Sequence, residues 1–214
     1  AALHAGEDSD LRSMIHRVPV TGGEPVLVAG GAEATWAWSR PRFSRDGRTL
    51  FLLAEHLGES GLDFVGSAKA VAALAVDAEP GTEPRILTDP VTSDYEAPWS
   101  FLEPLGEESV LAPARVRGCG ELHVISPEGR VHVLVKGPKV VSAAAERSGV
   151  SVAVVSEATR PMELARVAEG RLVRLTDFAR PLVAAATPVE PRELTIQGED
   201  GNDIHGWVFV PKGR

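Results

Sequence analysis

Leu164-Ala165-Arg166-Val167-Ala168-Glu169-Gly170-Arg171-Leu172-Val173-Arg174-Leu175-Thr176-Asp177 reads as two short strands around a Glu-Gly turn. Apolar and polar residues alternate along both arms, and Gly170 supplies the backbone that other residues resist. The same unit recurs upstream. Met14 to Val20 is followed by Thr21-Gly22-Gly23-Glu24-Pro25 and then Val26-Leu27-Val28. Ala73 to Val76 is followed by Glu79-Pro80-Gly81-Thr82 and then Arg85-Ile86-Leu87-Thr88-Asp89. Leu122 to Ile125 is followed by Pro127-Glu128-Gly129 and then Val131 to Leu134. Each copy is a hairpin by its period-two patterning and turn chemistry.

A second hairpin precedes three of these copies. Phe43-Ser44-Arg45-Asp46-Gly47 leads through an Asp-Gly turn into Thr49 to Leu53. Weaker counterparts run from Leu105 to Leu111 and from Glu146 to Val155. Two hairpins per repeat make a four-stranded antiparallel sheet. Leu87, Leu134 and Leu175 close three copies, 47 and 41 residues apart. That matches the roughly 40–50 residues of a propeller blade. The longer gap from Leu27 to Leu87 is assigned to a loop over Glu55 to Lys69, which holds Gly58, Gly61 and Gly66. The Ala-rich run from Lys69 to Ala78 favours helix by propensity, but its place in the repeat makes it a strand. The count is three nearly whole blades and the tail of another. Propellers have about 4–8 blades around a channel, so an open arc is expected, with apolar blade faces uncovered.

Composition narrows the function. The chain has 214 residues, 43% of them apolar, and a net charge of −8. That balance is opposite to that of a general nucleic-acid binder. The longest clean apolar run, Ala70 to Val76, is far short of the about 18 residues a membrane span needs. No signal segment opens the chain, and the first residue is Ala1. A fragment or trimmed chain is expected. Cys119 is the one cysteine, so no disulfide framework or cysteine metal site can form. A cytoplasmic, reducing compartment is expected, and no cofactor.

The repeat ends at Thr187-Pro188-Val189-Glu190-Pro191, a stiff Pro-rich connector. Arg192 to Ile196 then reads as a strand, Gly198 to Asp203 as a turn, and Ile204 to Pro211 as a second strand. The pattern Glu193, Asp200-Gly201, Ile204, Gly206-Trp207 and Pro211 resembles the junction in prolyl-oligopeptidase-like serine peptidases. The acylaminoacyl-peptidase and dipeptidyl-peptidase branches are the most similar. Phe43-Ser44-Arg45-Asp46-Gly47 and the Leu-Thr-Asp endings are also similar to that family's blades. The resemblance implies an all-β partial propeller over residues 1–186. Residues 187–214 would then be a linker and the first strands of an α/β-hydrolase domain lying beyond the sequence. It also implies short-peptide substrates whose access the blades limit. The nucleophile elbow Gly-x-Ser-x-Gly is missing, and Gly58-Glu59-Ser60-Gly61 has the wrong spacing. No catalytic residue is therefore assigned, and the chain alone is expected to be inactive.

Other chemistry is weaker. His123 and His132 fall on paired strands, where a metal pair is conceivable, but no ligand-spaced carboxylate or Cys accompanies them. Asp203 and His205 share a strand face without a nucleophile. Trp36, Trp38 and Trp99 read as packing between blades, with stacking on a ligand as the alternative. Glu55, Glu59, Asp63 and Asp94 are acidic candidates for a substrate amino terminus, with nothing to select among them. A stand-alone propeller binding module is the competing function, and a closed β-sandwich the competing fold. Exposed blade faces leave homo-oligomer formation open.

Overall fold

The computed structural model describes residues 9–96, 101–186 and 188–211. Ala1, His4, Trp99, Thr187 and Lys212 lie outside the described residues. A hairpin of β1 (Ile15–Arg17) and β2 (Val26–Ala29) comes first. The first blade follows, in the order β3 (Trp36–Phe43), β4 (Thr49–His56), β5 (Ala70–Ala75) and β6 (Arg85–Ile86). The second contains β7 (Glu103–Leu105), β8 (Ser109–Val116), β9 (Cys119–Ile125) and β10 (Val131–Val135). The third contains β11 (Lys139–Arg147), β12 (Val150–Glu157), β13 (Arg160–Ala168) and β14 (Arg171–Arg174). Within each blade, sequential strands pair antiparallel. This is a partial β-propeller of four-stranded blades. Each hairpin expected from the repeat is present, and the neighbour-to-neighbour order excludes a crossed-over sandwich.

The cores lie between blades, because the middle strands bury both faces. Leu50, Leu52 and Ala54 of β4 join Trp38, Ala70 and Ala72 against Ile15 and Ala29 of the first hairpin. Phe51 and Leu53, on the other face, join Val71, Ala73 and Tyr95 against Val110, Ala112 and Ile125 of the second blade. Leu111 and Leu122 then meet Val141, Ala153 and Ala165 of the third. This explains β5. Its small residues face a neighbouring sheet on both sides, so inter-blade burial overrides the helix preference of alanine. Trp38 is buried in a core, as packing between blades requires.

The Leu-Thr-Asp endings have a mechanical origin. The Leu87 amide donates to the Val71 carbonyl at 2.8 Å, and the Val71 amide donates to Thr88 Oγ1 at 2.9 Å. In the third blade Leu175 and Thr176 do the same to Leu164, at 2.8 and 2.9 Å. The threonine hydroxyl thus replaces a backbone carbonyl where the fourth strand leaves the ladder.

Two features depart from the sequence reading, and a third observation removes an alternative that it set aside. The second and third blades form one eight-stranded sheet, joined by a single parallel bridge from Val140 to Gly120. A Cβ at position 120 would lie 3.0 Å from Val140 Cα, a tighter contact than most side chains make, so glycine eases that approach. Leu134 and Leu175 therefore share a sheet, whereas Leu87 belongs to the first blade's. Next, α1 (Arg180–Ala185) follows the last blade, where no element was expected. The buried Glu163 carboxylate accepts the amides of Phe178 and Ala179 at 3.0 and 2.8 Å, and the Thr176 hydroxyl, which sets the path into it. Burial raises the Glu163 pKa, but these donors outweigh it and hold it below the ordinary value. Finally, His123 and His132 oppose Val133 and Val124, which puts them on opposite sheet faces and removes the metal pair. His123 instead hydrogen-bonds the Tyr95 hydroxyl through Nδ1 and the Glu121 carboxylate through Nε2, each at 2.9 Å. No group of three metal-binding side chains occurs among the described residues.

The first strands touch one another across blades, so β3, β7 and β11 are innermost. Arg42 of β3 pairs with Glu103 of β7 at 2.7 Å. A meander reverses at each strand, so first-to-second and third-to-fourth turns share one end of the blades. Contacts agree. At that end the Asp46 amide donates to the Glu107 carbonyl at 3.0 Å, and Arg45 reaches Glu146 of the third blade. Second-to-third turns emerge at the opposite end.

Candidate interdomain junction

Beyond α1, the strands β15 (Arg192–Gln197) and β16 (Asp203–Val208) pair in full register, Arg192 with Val208 through Gln197 with Asp203. They form their own two-stranded sheet. The turn holds itself together. The Gly198 amide donates to the Asn202 carbonyl at 2.8 Å, and Gly201 takes φ of +81°, which a side chain would resist. Asp200 accepts the Asn202 side-chain amide at 2.7 Å and its backbone amide at 3.1 Å. These bonds lower the Asp200 pKa, the side-chain bond most.

The pairing register sorts the hairpin into two faces. Glu193, Thr195, His205 and Trp207 share one, and Leu194, Ile196, Ile204 and Gly206 share the other. The first face grips the second blade at the two-residue turn between β8 and β9. Arg117 and Gly118 there both take positive φ, 48° and 74°, as a tight primed hairpin turn demands. Arg117 Nη2 donates to Thr195 Oγ1 at 3.0 Å and lies 3.4 Å from Glu193 Oε1. The same carboxylate oxygen is 2.9 Å from His205 Nε2. The His205 ring stands edge-on to Trp207, with centroids 5.3 Å apart. A Cβ at Gly118 would lie 2.9 Å from Trp207 Nε1, so the indole rests where a side chain would be. Thr159, in the turn between β12 and β13, donates to Glu190 Oε1 at 2.8 Å. Cys119, Pro138, Val140, Pro191, Trp207 and Phe209 line a cleft of about 290 Å³ between hairpin and blades. Burial raises the Cys119 pKa, which opposes a thiolate role.

The second face is turned away from the blades. Leu194, Ile196 and Ile204 there are between 41% and 59% exposed, as are Phe209 and Val210 just beyond β16. An isolated two-stranded hairpin is marginal in water, and one with an apolar outer face is more so.

Of the residues singled out in the sequence, Glu193 and Trp207 lie on the gripping face. Ile204 and Gly206 lie on the outer face, Asp200 and Gly201 form the turn, and exposed Pro211 follows the second strand. Arg117, Gly118 and Thr159, which receive the hairpin, are not among the residues that the sequence singles out. Arg117-Gly118 between two strands was the available signal. His205 pairs with Glu193, whereas Asp203 stands opposite Gln197. Three of the acidic candidates, Glu55, Asp63 and Asp94, have their carboxylates engaged elsewhere. Glu55 and Glu96 flank Lys69 at 3.3 and 2.7 Å, and Asp94 pairs with Arg115. The carbonyls of Glu59 and Ser60 accept from the buried Arg12, and Asp63 accepts from Ser60. Gly58 to Gly61 is thus a braced loop.

No protein-family model matches the chain, and no curated protein matches it by sequence. Solved structures do. An acylaminoacyl peptidase in complex with Z-Gly-Gly-Phe-chloromethyl ketone matches over 90% of this chain and 27% of its own, with TM-score 0.64 and 18% identity. A puromycin-hydrolyzing peptidase from Mycobacterium tuberculosis matches over 89% and 28%, with TM-score 0.57 and 21% identity. The β-propeller domain of the Trilobed protease from Pyrococcus furiosus, described as having an open velcro topology, matches over 75% and 42%, with TM-score 0.52 and 16% identity. The chain shares its fold with parts of these peptidases and spans about a quarter of the length of the first two. No helix among the described residues is long and apolar enough to cross a membrane.

Proposed function

We propose that this chain is the propeller portion of an acylaminoacyl-peptidase-like serine peptidase, in which the blades restrict access to short peptides and β15–β16 opens a catalytic domain. One observation carries the reading. The hairpin that follows α1 grips the propeller with its polar face and turns Leu194, Ile196 and Ile204 outward. A stable protein covers such a face, and a further domain built onto these strands would do so. The solved peptidases that share the fold support this. On this reading residues 1–186 are blades and residues 187–214 are the linker and opening strands. Chemistry would reside outside the chain, in a serine acyl-transfer site.

The test is the coding sequence after residue 214, followed by assay. A Gly-x-Ser-x-Gly within about 250 residues, and phosphonate-sensitive hydrolysis of acyl-amino-acid nitroanilides by the longer protein but not by this chain, is expected. A stop codon at that point sinks the peptidase reading and favours a stand-alone binding module.

A further inference from the structure

Four non-glycine residues among those described take positive φ: Arg40, Arg117, Ser148 and Glu169. Three of them open two-residue turns ahead of Gly118, Gly149 and Gly170, where the conformation is required. Arg40 differs. It lies inside β3, the innermost strand of the first blade, at φ 53°. Arg40 and Pro41 form a bulge, because Ser39 pairs with Leu53 and Arg42 with Phe51, leaving only Leu52 opposite both. Bulges re-aim side chains, and strain of this kind concentrates where a side chain has a task.

The charges along the inner strands point the same way. Glu103 of β7 is taken by Arg42, and Glu146 of β11 by Arg45. Arg40 is exposed and has no ionic or hydrogen-bond partner among the described residues. The chain as a whole is acidic, at −8, so an unpaired guanidinium on the axial strand goes against the general balance.

We infer that Arg40 is a specificity-determining residue that binds a carboxylate of a peptide passing along the propeller axis. A guanidinium suits this role because its planar fork matches both carboxylate oxygens. The ligand class rests on the peptidase reading above, but the test reads binding and not turnover. Absence of hydrolysis in the longer protein would remove that reading and leave this result interpretable.

The ¹⁵N-labelled full chain is titrated with N-acetyl-Ala-Ala-Ala as the acid, the same peptide as the amide, and N-acetyl-Ala-Glu-Ala amide. The acid is expected to shift the Arg40 Nε–Hε signal and to bind at least about tenfold tighter than the amide, the usual scale of one charge-assisted hydrogen bond. The glutamyl amide separates the sources: binding like the acid means any carboxylate serves, and binding like the amide means the terminal one. Arg40→Asn, which tolerates left-handed backbone, is expected to abolish the preference without lowering Tm. Arg40→Gly should behave likewise, and Arg40→Lys should keep part of the preference. Equal binding of acid and amide, or a preference that survives Arg40→Asn, overturns the inference. So does a fall in Tm for both Asn and Gly variants, which would make Arg40 structural.

Discussion

Glu146 sits buried at the end of β11 and ties three blades together. Its carboxylate accepts the Gly149 amide at 2.7 Å and Arg45 Nη1 at 2.8 Å. Arg45 Nη2 also reaches the carbonyls of Glu146 and Pro104, at 3.0 and 3.2 Å. The Gly149 bond first, and Arg45 after it, hold the Glu146 carboxyl below its ordinary 4.5. A depressed folded-state pKa stabilises the protein above the unfolded value, and that stability is lost as pH falls through the folded one. Glu146→Gln resembles the protonated acid. The variant should melt below the parent at pH 7, and the two curves should converge as pH falls below the carboxyl's ordinary 4.5. Thermal melts across that range check this, and a constant gap would show that the charge is not what matters. Asp46 follows the same logic in the turn beside it. Its carboxylate accepts the Ser44 hydroxyl at 2.6 Å and the Arg48 amide at 3.1 Å, so both its polar neighbours are legible in the sequence. Glu146, by contrast, gave no sign in the sequence that it was an inter-blade anchor, because its partner Arg45 lies 101 residues away.

At the scale of elements, the β15–β16 hairpin depends on a turn in another blade. Glu193 and Arg117 are both about half exposed, so their ion pair contributes about 1 kcal/mol or less. The rest of the attachment is Trp207 on Gly118 and the adjoining apolar cleft. Gly118→Ala introduces a Cβ 2.9 Å from the indole nitrogen and forces left-handed backbone on alanine, which costs about 1–2 kcal/mol. The expected outcome is a changed Trp207 fluorescence and faster hydrogen exchange in β15 and β16, with the blade amides of β4 and β12 unchanged. Equal loss of protection in hairpin and blades would show that Gly118 serves the second blade itself and not the junction. Both strands of this hairpin were legible from period-two patterning and the Asp200-Gly201 turn. Its seat was not, since docking depends on which turn of a distant repeat comes within reach.

Across the described residues, the three cores lie between the first hairpin and successive blades, so each blade depends on its neighbours. The first hairpin, covered on one face only, and β15–β16, exposed along its outer face, have least to hold them. Hydrogen exchange should therefore rank β4, β5, β8 and β9 as most protected, β1 and β2 lower, and β15 and β16 lowest. Uniform protection across all of these would mean that the arc unfolds as one unit, and the nearest-neighbour account would fail.

Alternation and turn residues are local properties, and the sequence alone carried them. It placed every blade hairpin, assigned β5 to a strand despite its alanines, and marked the blade ends at Leu87, Leu134 and Leu175. The tertiary structure alone decided what lies between repeats: the bridge at Gly120, the Arg45–Glu146 tie, the seat of Trp207 on Gly118 and the bulge that exposes Arg40. Strand pairing within a hairpin joins residues a few positions apart, so its code is written in short stretches. Contacts between blades join residues tens of positions apart, and they follow from how sheets twist and stack, which no short stretch encodes.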